Sequence, residues 1–86
     1  MEITPNPAST FTTFVLELSS VTSVSIEIFN TKGNSVAKII SNEKFDKGSH
    51  SIKWDTQSTK ESYGTGLFIV KIVTSDNSIS KNLILN

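Results

Sequence analysis

The chain has 86 residues, enough for one small domain whose core buries only about 60% of the surface its unfolded form exposes. Cysteine is absent and His50 is the one histidine, which excludes disulfides, thiolate metal sites, two-histidine metal sites and a triad with a spare partner. Eight lysines balance eight acidic residues and arginine is absent, so no long-range charge draws nucleic acid or anionic lipid, and the usual bidentate reader of guanine is missing.

Serine and threonine supply 24 of the 86 residues, a neutral, hydroxyl-rich composition shared with many exported β-proteins. No apolar run approaches the ~20 residues of a membrane-spanning helix, and no basic stretch followed by an apolar one opens the chain. No membrane insertion is therefore expected. Met1, followed at once by a turn-like stretch, reads as a start residue added to a domain excised from a longer chain, with any export signal upstream. Residues 1–86 read as a single domain, without internal repeat or linker.

The chain opens on Pro5-Asn6-Pro7. Proline fixes φ near −65° and disfavours helix in the residue before it, so a stiff, extended segment is expected there. Such a segment can lie along a sheet edge without templating further pairing, and Asn6 can bond nearby backbone groups. The hydropathy period that follows is two. Phe11 to Leu18 sets Phe14, Leu16 and Leu18 against Thr13, Val15 and Glu17. Residues 22–30 set Val24, Ile26 and Ile28 against Ser25 and Glu27, with Phe29 on the polar parity beside the turn. A hairpin turn follows at residues 30–34, where Gly33 or Asn34 can take positive φ, and Val36 lies beyond it.

Asp46-Lys47-Gly48 marks the next turn, and residues 49–55 place His50, Ile52 and Trp54 on one parity. The polar stretch 56–65 reads as the longest loop, with no convincing helical period, and carries Tyr63. Gly66 to Thr74 is apolar on both faces except for Lys71, the pattern of a central strand. Asp76-Asn77-Ser78 makes a third turn, and residues 81–85 close the chain as a short strand. Short strands separated by tight turns predict an all-β, seven-stranded, antiparallel Ig-like sandwich.

Chemistry is sparse. His50 reads as a rim histidine with a structural hydrogen bond. Asp46 and Asp55 are too loosely placed for a glycosidase pair. The turn at Asp76 lacks the spaced acids and distal glutamate of a calcium loop, so neither a metal nor a cofactor is expected. Trp54 and Tyr63 could make a sugar-stacking platform, although Trp54 shares the apolar parity of Ile52 and so belongs with the core. Phe29 would join Leu67, Ile69 and Val73 in a docking patch if all four shared an outer face.

The ordered pieces resemble a known family. They are Pro5-Asn6-Pro7, the turn at Gly33 with Val36, the run from Gly48 through His50, Ile52 and Trp54 to Asp55, the strand opening Gly66-Leu67-Phe68, and the terminal Lys81-Asn82-Leu83-Ile84-Leu85. Their order, spacing and terminal position, from Ile3 to Asn86, resemble the type A C-terminal sorting domain of the type IX secretion system of Bacteroidota. Phe68 stands where the family prefers tyrosine, and Asn86 where many members end in a basic residue.

The resemblance implies a non-catalytic signal for protein transport: an Ig-like sandwich borne C-terminal to a cargo domain and recognised by the outer-membrane translocon. A sortase-like cysteine peptidase then removes it. The cargo would pass through the periplasm and finish at the cell surface or outside the cell. Cleavage would fall in a flexible stretch just before Pro5, and Lys81, Leu83, Leu85 and Asn86 would carry recognition in the terminal hairpin. The competing readings are an accessory spacer or carbohydrate-binding module of a secreted protein, a small enzyme, and a self-assembling adhesin-like module.

Overall fold

The computed structural model describes residues 2–8 and 10–86; the reading of Met1 as an added start residue lies outside them. Seven strands form two antiparallel sheets, as the period-two pattern predicts. The first sheet holds β1 (Glu2–Thr4), β2 (Phe11–Leu18) and β5 (Gly48–Asp55) in the order β1-β2-β5. The second holds β3 (Thr22–Phe29), β4 (Ser35–Phe45), β6 (Gly66–Thr74) and β7 (Ser78–Leu85) in the order β4-β3-β6-β7.

Each sheet turns one parity inward. Phe14 and Leu16 of β2 meet Val24, Ile26 and Ile28 of β3, Phe68, Val70 and Ile72 of β6, and Leu83 and Leu85 of β7 in one buried cluster. Trp54 packs against this cluster, its ring stacked on Phe14 with centroids 6.2 Å apart. At ~25 cal/mol per Å² of apolar surface, such burial is the main force holding a chain without disulfides. Among the described residues no buried side-chain nitrogen or oxygen lacks a hydrogen-bond partner.

Three features depart from the sequence reading. A short helix, α1 (Gln57–Tyr63), occupies the expected long loop. Its seven residues bury only Thr59, so no apolar stripe announces it. Lys60 N–H bonds the Thr56 carbonyl at 3.0 Å, Gly64 N–H bonds that of Lys60 at 2.8 Å, and Asp55 Oδ1 accepts from Gln57 N–H at 2.8 Å. β4 runs for eleven residues against β3 with register shifts at three places, and Asn42 sits at φ 50°. Bulges of this kind break the alternation by which a strand is read.

The third departure concerns the chain's opening. Glu2–Thr4 already forms a strand on β2, pairing Glu2 with Val15 and Thr4 with Thr13. The fold therefore begins ahead of Pro5, and the expected flexible stretch just before that residue is a strand. Residues 5–7 bend instead of running extended, with cis peptides before both prolines. The bend carries the chain from one sheet across to the edge of the other.

Candidate functional site

β7 is an edge strand, and its last residues are covered by the segment that follows β1. Ala8 bridges Leu85 in parallel; its N–H bonds the Ile84 carbonyl at 2.8 Å and its carbonyl accepts from Asn86 N–H at 2.8 Å. One step earlier, a side chain takes the place of a strand. Asn6 Nδ2 donates to the Asn82 carbonyl at 3.1 Å, and Asn6 Oδ1 accepts from Ile84 N–H at 3.1 Å. A primary amide carries the same donor and acceptor as a peptide group, so it can satisfy two ladder positions at once. Thr12, fully buried, anchors the bend by donating its hydroxyl to the Pro5 carbonyl at 2.9 Å. The edge-blocking role expected of Pro5-Asn6-Pro7 is thus performed by Asn6 and Ala8, while the prolines bring no donor of their own to the edge.

The cover is partial. No described strand pairs with the outer side of β7 over residues 78–81. Along the inward parity of β7, Leu83 and Leu85 are buried but Ile79 and Lys81 are exposed. Lys60 Nζ reaches the Asn86 backbone oxygen at 3.1 Å, tying the end of α1 to the end of β7.

The outer face of the four-stranded sheet carries the apolar patch considered from sequence. Phe29 pairs with Ile69 and Leu67 with Ile84. Val73 lies further along, beyond Lys71 and opposite Ser25. Leu67 and Ile84 are each more than two-fifths exposed.

A match to a family model covers residues 2–86, and its description is secretion system C-terminal sorting domain. The chain belongs to this family. It is a sorting-signal domain of type IX secretion, borne C-terminal to a cargo that is exported to the cell surface or beyond, and it interacts with the secretion machinery. Comparison with curated proteins and with solved structures returns no match.

The sorting domain's motif residues do not converge on one site. Pro5, Asn6 and Pro7 lie at the β7 edge. Gly33, at φ 88°, closes the β3–β4 turn with its N–H on the Asn30 carbonyl at 3.0 Å, while Asn30 Oδ1 accepts from Lys32 and Asn34 N–H. Gly48 opens β5 at φ 125°, and Gly66 opens β6 at φ 121° opposite Leu85. His50 is half-buried on the inward parity; its Nε2 donates to the Asp46 carbonyl at 2.7 Å and its ring meets Phe45 edge-on at 5.0 Å. This is the structural rim histidine expected, and it closes the β4–β5 turn. Phe68 is buried opposite Leu83 and belongs to the core.

Of the four residues assigned to recognition, Lys81 and Asn86 are exposed, whereas Leu83 and Leu85 are in the core. In the folded domain those two leucines hold the hairpin in place and present nothing outward. The exposed Ile84 between them, not one of the four recognition residues, faces solvent in their stead. Trp54 and Tyr63 border a common open depression of about 460 Å³, which Asp55 and Ser58 also line. The Trp54 ring is half-buried with one face stacked on Phe14, and Tyr63 is half exposed.

Proposed function

We propose that this domain is a non-catalytic export tag, read by the type IX outer-membrane translocon through its terminal hairpin, Gly66 to Leu85. A sortase-like peptidase then detaches it after transit through the periplasm. The observation that carries the reading is the build of β7. One half is anchored by buried leucines and clamped by Asn6 and Ala8; the other half offers an unpaired edge with Lys81 exposed beside it. An open strand edge binds extended peptide through main-chain hydrogen bonds, and neighbouring side chains add specificity. Leu67 and Ile84 supply apolar contact on the outer face of the same hairpin. The pairing of Glu2 with Val15 favours a scissile bond upstream of Glu2.

The test is a reporter with its own inner-membrane signal, fused to residues 2–86 and followed in a type IX-competent strain and in a translocon mutant. Surface or medium signal in the competent strain alone is expected. Lys81→Glu, at an exposed position, should leave thermal stability within about 0.5 kcal/mol of the parent and lower export several-fold. Unchanged export with Lys81→Glu, and again with residues 81–86 deleted, would refute terminal-hairpin recognition. Periplasmic retention of the folded fusion in both strains would refute the export reading and favour an accessory module instead.

A further inference from the structure

β7 is the regular edge of the four-stranded sheet. It pairs with β6 from Ser78 opposite Val73 to Leu85 opposite Gly66 without a register shift, whereas β4, at the other edge, is interrupted by bulges. A regular open edge is a template for another strand. On the outer side of β7, the Asn82 carbonyl and the Ile84 N–H are both held by Asn6. Backbone groups on one side of a strand recur at every second residue, so Ser78 and Ser80 point their N–H and carbonyl groups the same way. Among the described residues no strand takes these groups up. The open edge thus comprises Ser78, Ser80 and the N–H of Asn82.

A second copy of the domain carries the same edge and is the first strand it would meet in concentrated solution. Two copies would run antiparallel about a two-fold axis with their core faces on one side. That confines the pairing to registers in which Ser78, Ser80 and Asn82 stand opposite one another. Ser80 opposite Ser80 sets Lys81 of each copy against Ile79 of the other. Ser80 opposite Asn82 sets Lys81 against Lys81. Both registers need the Asn82 carbonyl as an acceptor, and Asn6 already holds it. Ser78 opposite Ser80 joins Ile79 to Ile79 but spans only residues 78–80 before the turn. Ile79 and Lys81 share the inward parity of β7 with Leu83 and Leu85, yet both are exposed. We infer that Lys81 guards this edge against a second copy, with Asn6 shortening the stretch to be guarded. In either longer register the ammonium stands where an apolar cross-strand pair would form, or faces its own like charge. The edge therefore stays single and open to a different strand.

The experiment measures self-association of the 86-residue chain by sedimentation equilibrium over a wide concentration range. The parent and Lys81→Glu should stay monomeric, since a charge of either sign guards the edge. Lys81→Ile supplies the missing apolar pair with Ile79 twice per dimer and should associate at least about tenfold more tightly than the parent. Its Ser80 amide, which points outward, should exchange more slowly as concentration rises. Adding Ser80→Pro removes that outward N–H and should return Lys81→Ile to the monomer. Folding of each variant is checked by far-UV circular dichroism. A Lys81→Ile chain as monomeric as the parent would overturn the inference. So would association without concentration-dependent protection of the Ser80 amide, or a Lys81→Glu chain that pairs. Export does not enter these measurements, so the inference and the translocon reading stand or fall separately.

Discussion

Replacing Asn6 by alanine isolates the clamp on β7. The side chain makes two hydrogen bonds, to the Asn82 carbonyl and from Ile84 N–H, both at 3.1 Å, and Asn6 itself is exposed. A net contribution of ~0.5–1.5 kcal/mol per bond gives ~1–3 kcal/mol for the pair. Water can reach both freed groups, which places the loss at the lower end, ~1–2 kcal/mol. Against the ~4–13 kcal/mol typical of a domain this size, that is a sizeable fraction. In urea, at ~1 kcal/mol per M for a small chain, the midpoint should fall by ~1–2 M. Melting should fall by ~4–8 °C per kcal/mol. Asn6→Asp should cost more, since a carboxylate oxygen would replace the donor that faces the Asn82 carbonyl. Amide exchange at Ile84 should accelerate in Asn6→Ala, which removes its acceptor, while that of Val70, at the centre of β6, changes only with global stability. A loss under ~0.5 kcal/mol with Ile84 exchange unchanged would refute the strand-mimic account, because that is the scatter of an ordinary surface substitution.

Other expectations rest on single contacts. Thr12→Val keeps the shape of a fully buried side chain but strips the donor from the Pro5 carbonyl, so ~1–2 kcal/mol should be lost in urea titration. Trp54→Ala removes the ring stacked on Phe14 and should cost ~3 kcal/mol, the low end of the aromatic-to-alanine range because Trp54 is only half-buried; Trp54→Phe should recover most of it. Gly66→Ala meets no atom within 4 Å of the added Cβ, so its expected loss of ~1–3 kcal/mol comes from backbone strain at φ 121° and should be equally large with a serine there.

What the sequence discloses follows from where the physics is periodic. β2, β3 and β5 alternate cleanly because each has one face on the core, and their residues appear in the structure on the sides assigned; β6 reads as apolar on both faces, yet only Phe68, Val70 and Ile72 are buried while Leu67 and Val73 are exposed. β4 does not alternate: its register shifts spend residues on bulges, and Val36, Ala37, Ile39 and Ile40 then face in mixed directions. α1 buries one threonine and so leaves no stripe to read. The proline segment was legible as an edge cover but not as to which edge, since Asn6 bonds a residue 76 positions away. The recognition residues show the same limit. The spacing of Leu83 and Leu85 marks a strand, but which parity is buried depends on the opposite sheet, and here it is theirs.

The bonds of Asn6 and Ala8 to β7 also determine how the domain carries a load. Suppose a partner grips the terminal hairpin while the attached cargo pulls on Glu2. The shortest mechanical route between the two runs through residues 2–8 and then across Asn6 and Ala8 directly into β7. Asn6 is exposed on that route, whereas Ala8 is fully buried and belongs to the core cluster. Tension would be borne first by the hydrogen bonds that Asn6 and Ala8 make to residues 82–86, before it reached the Phe14–Ile26–Val70 packing.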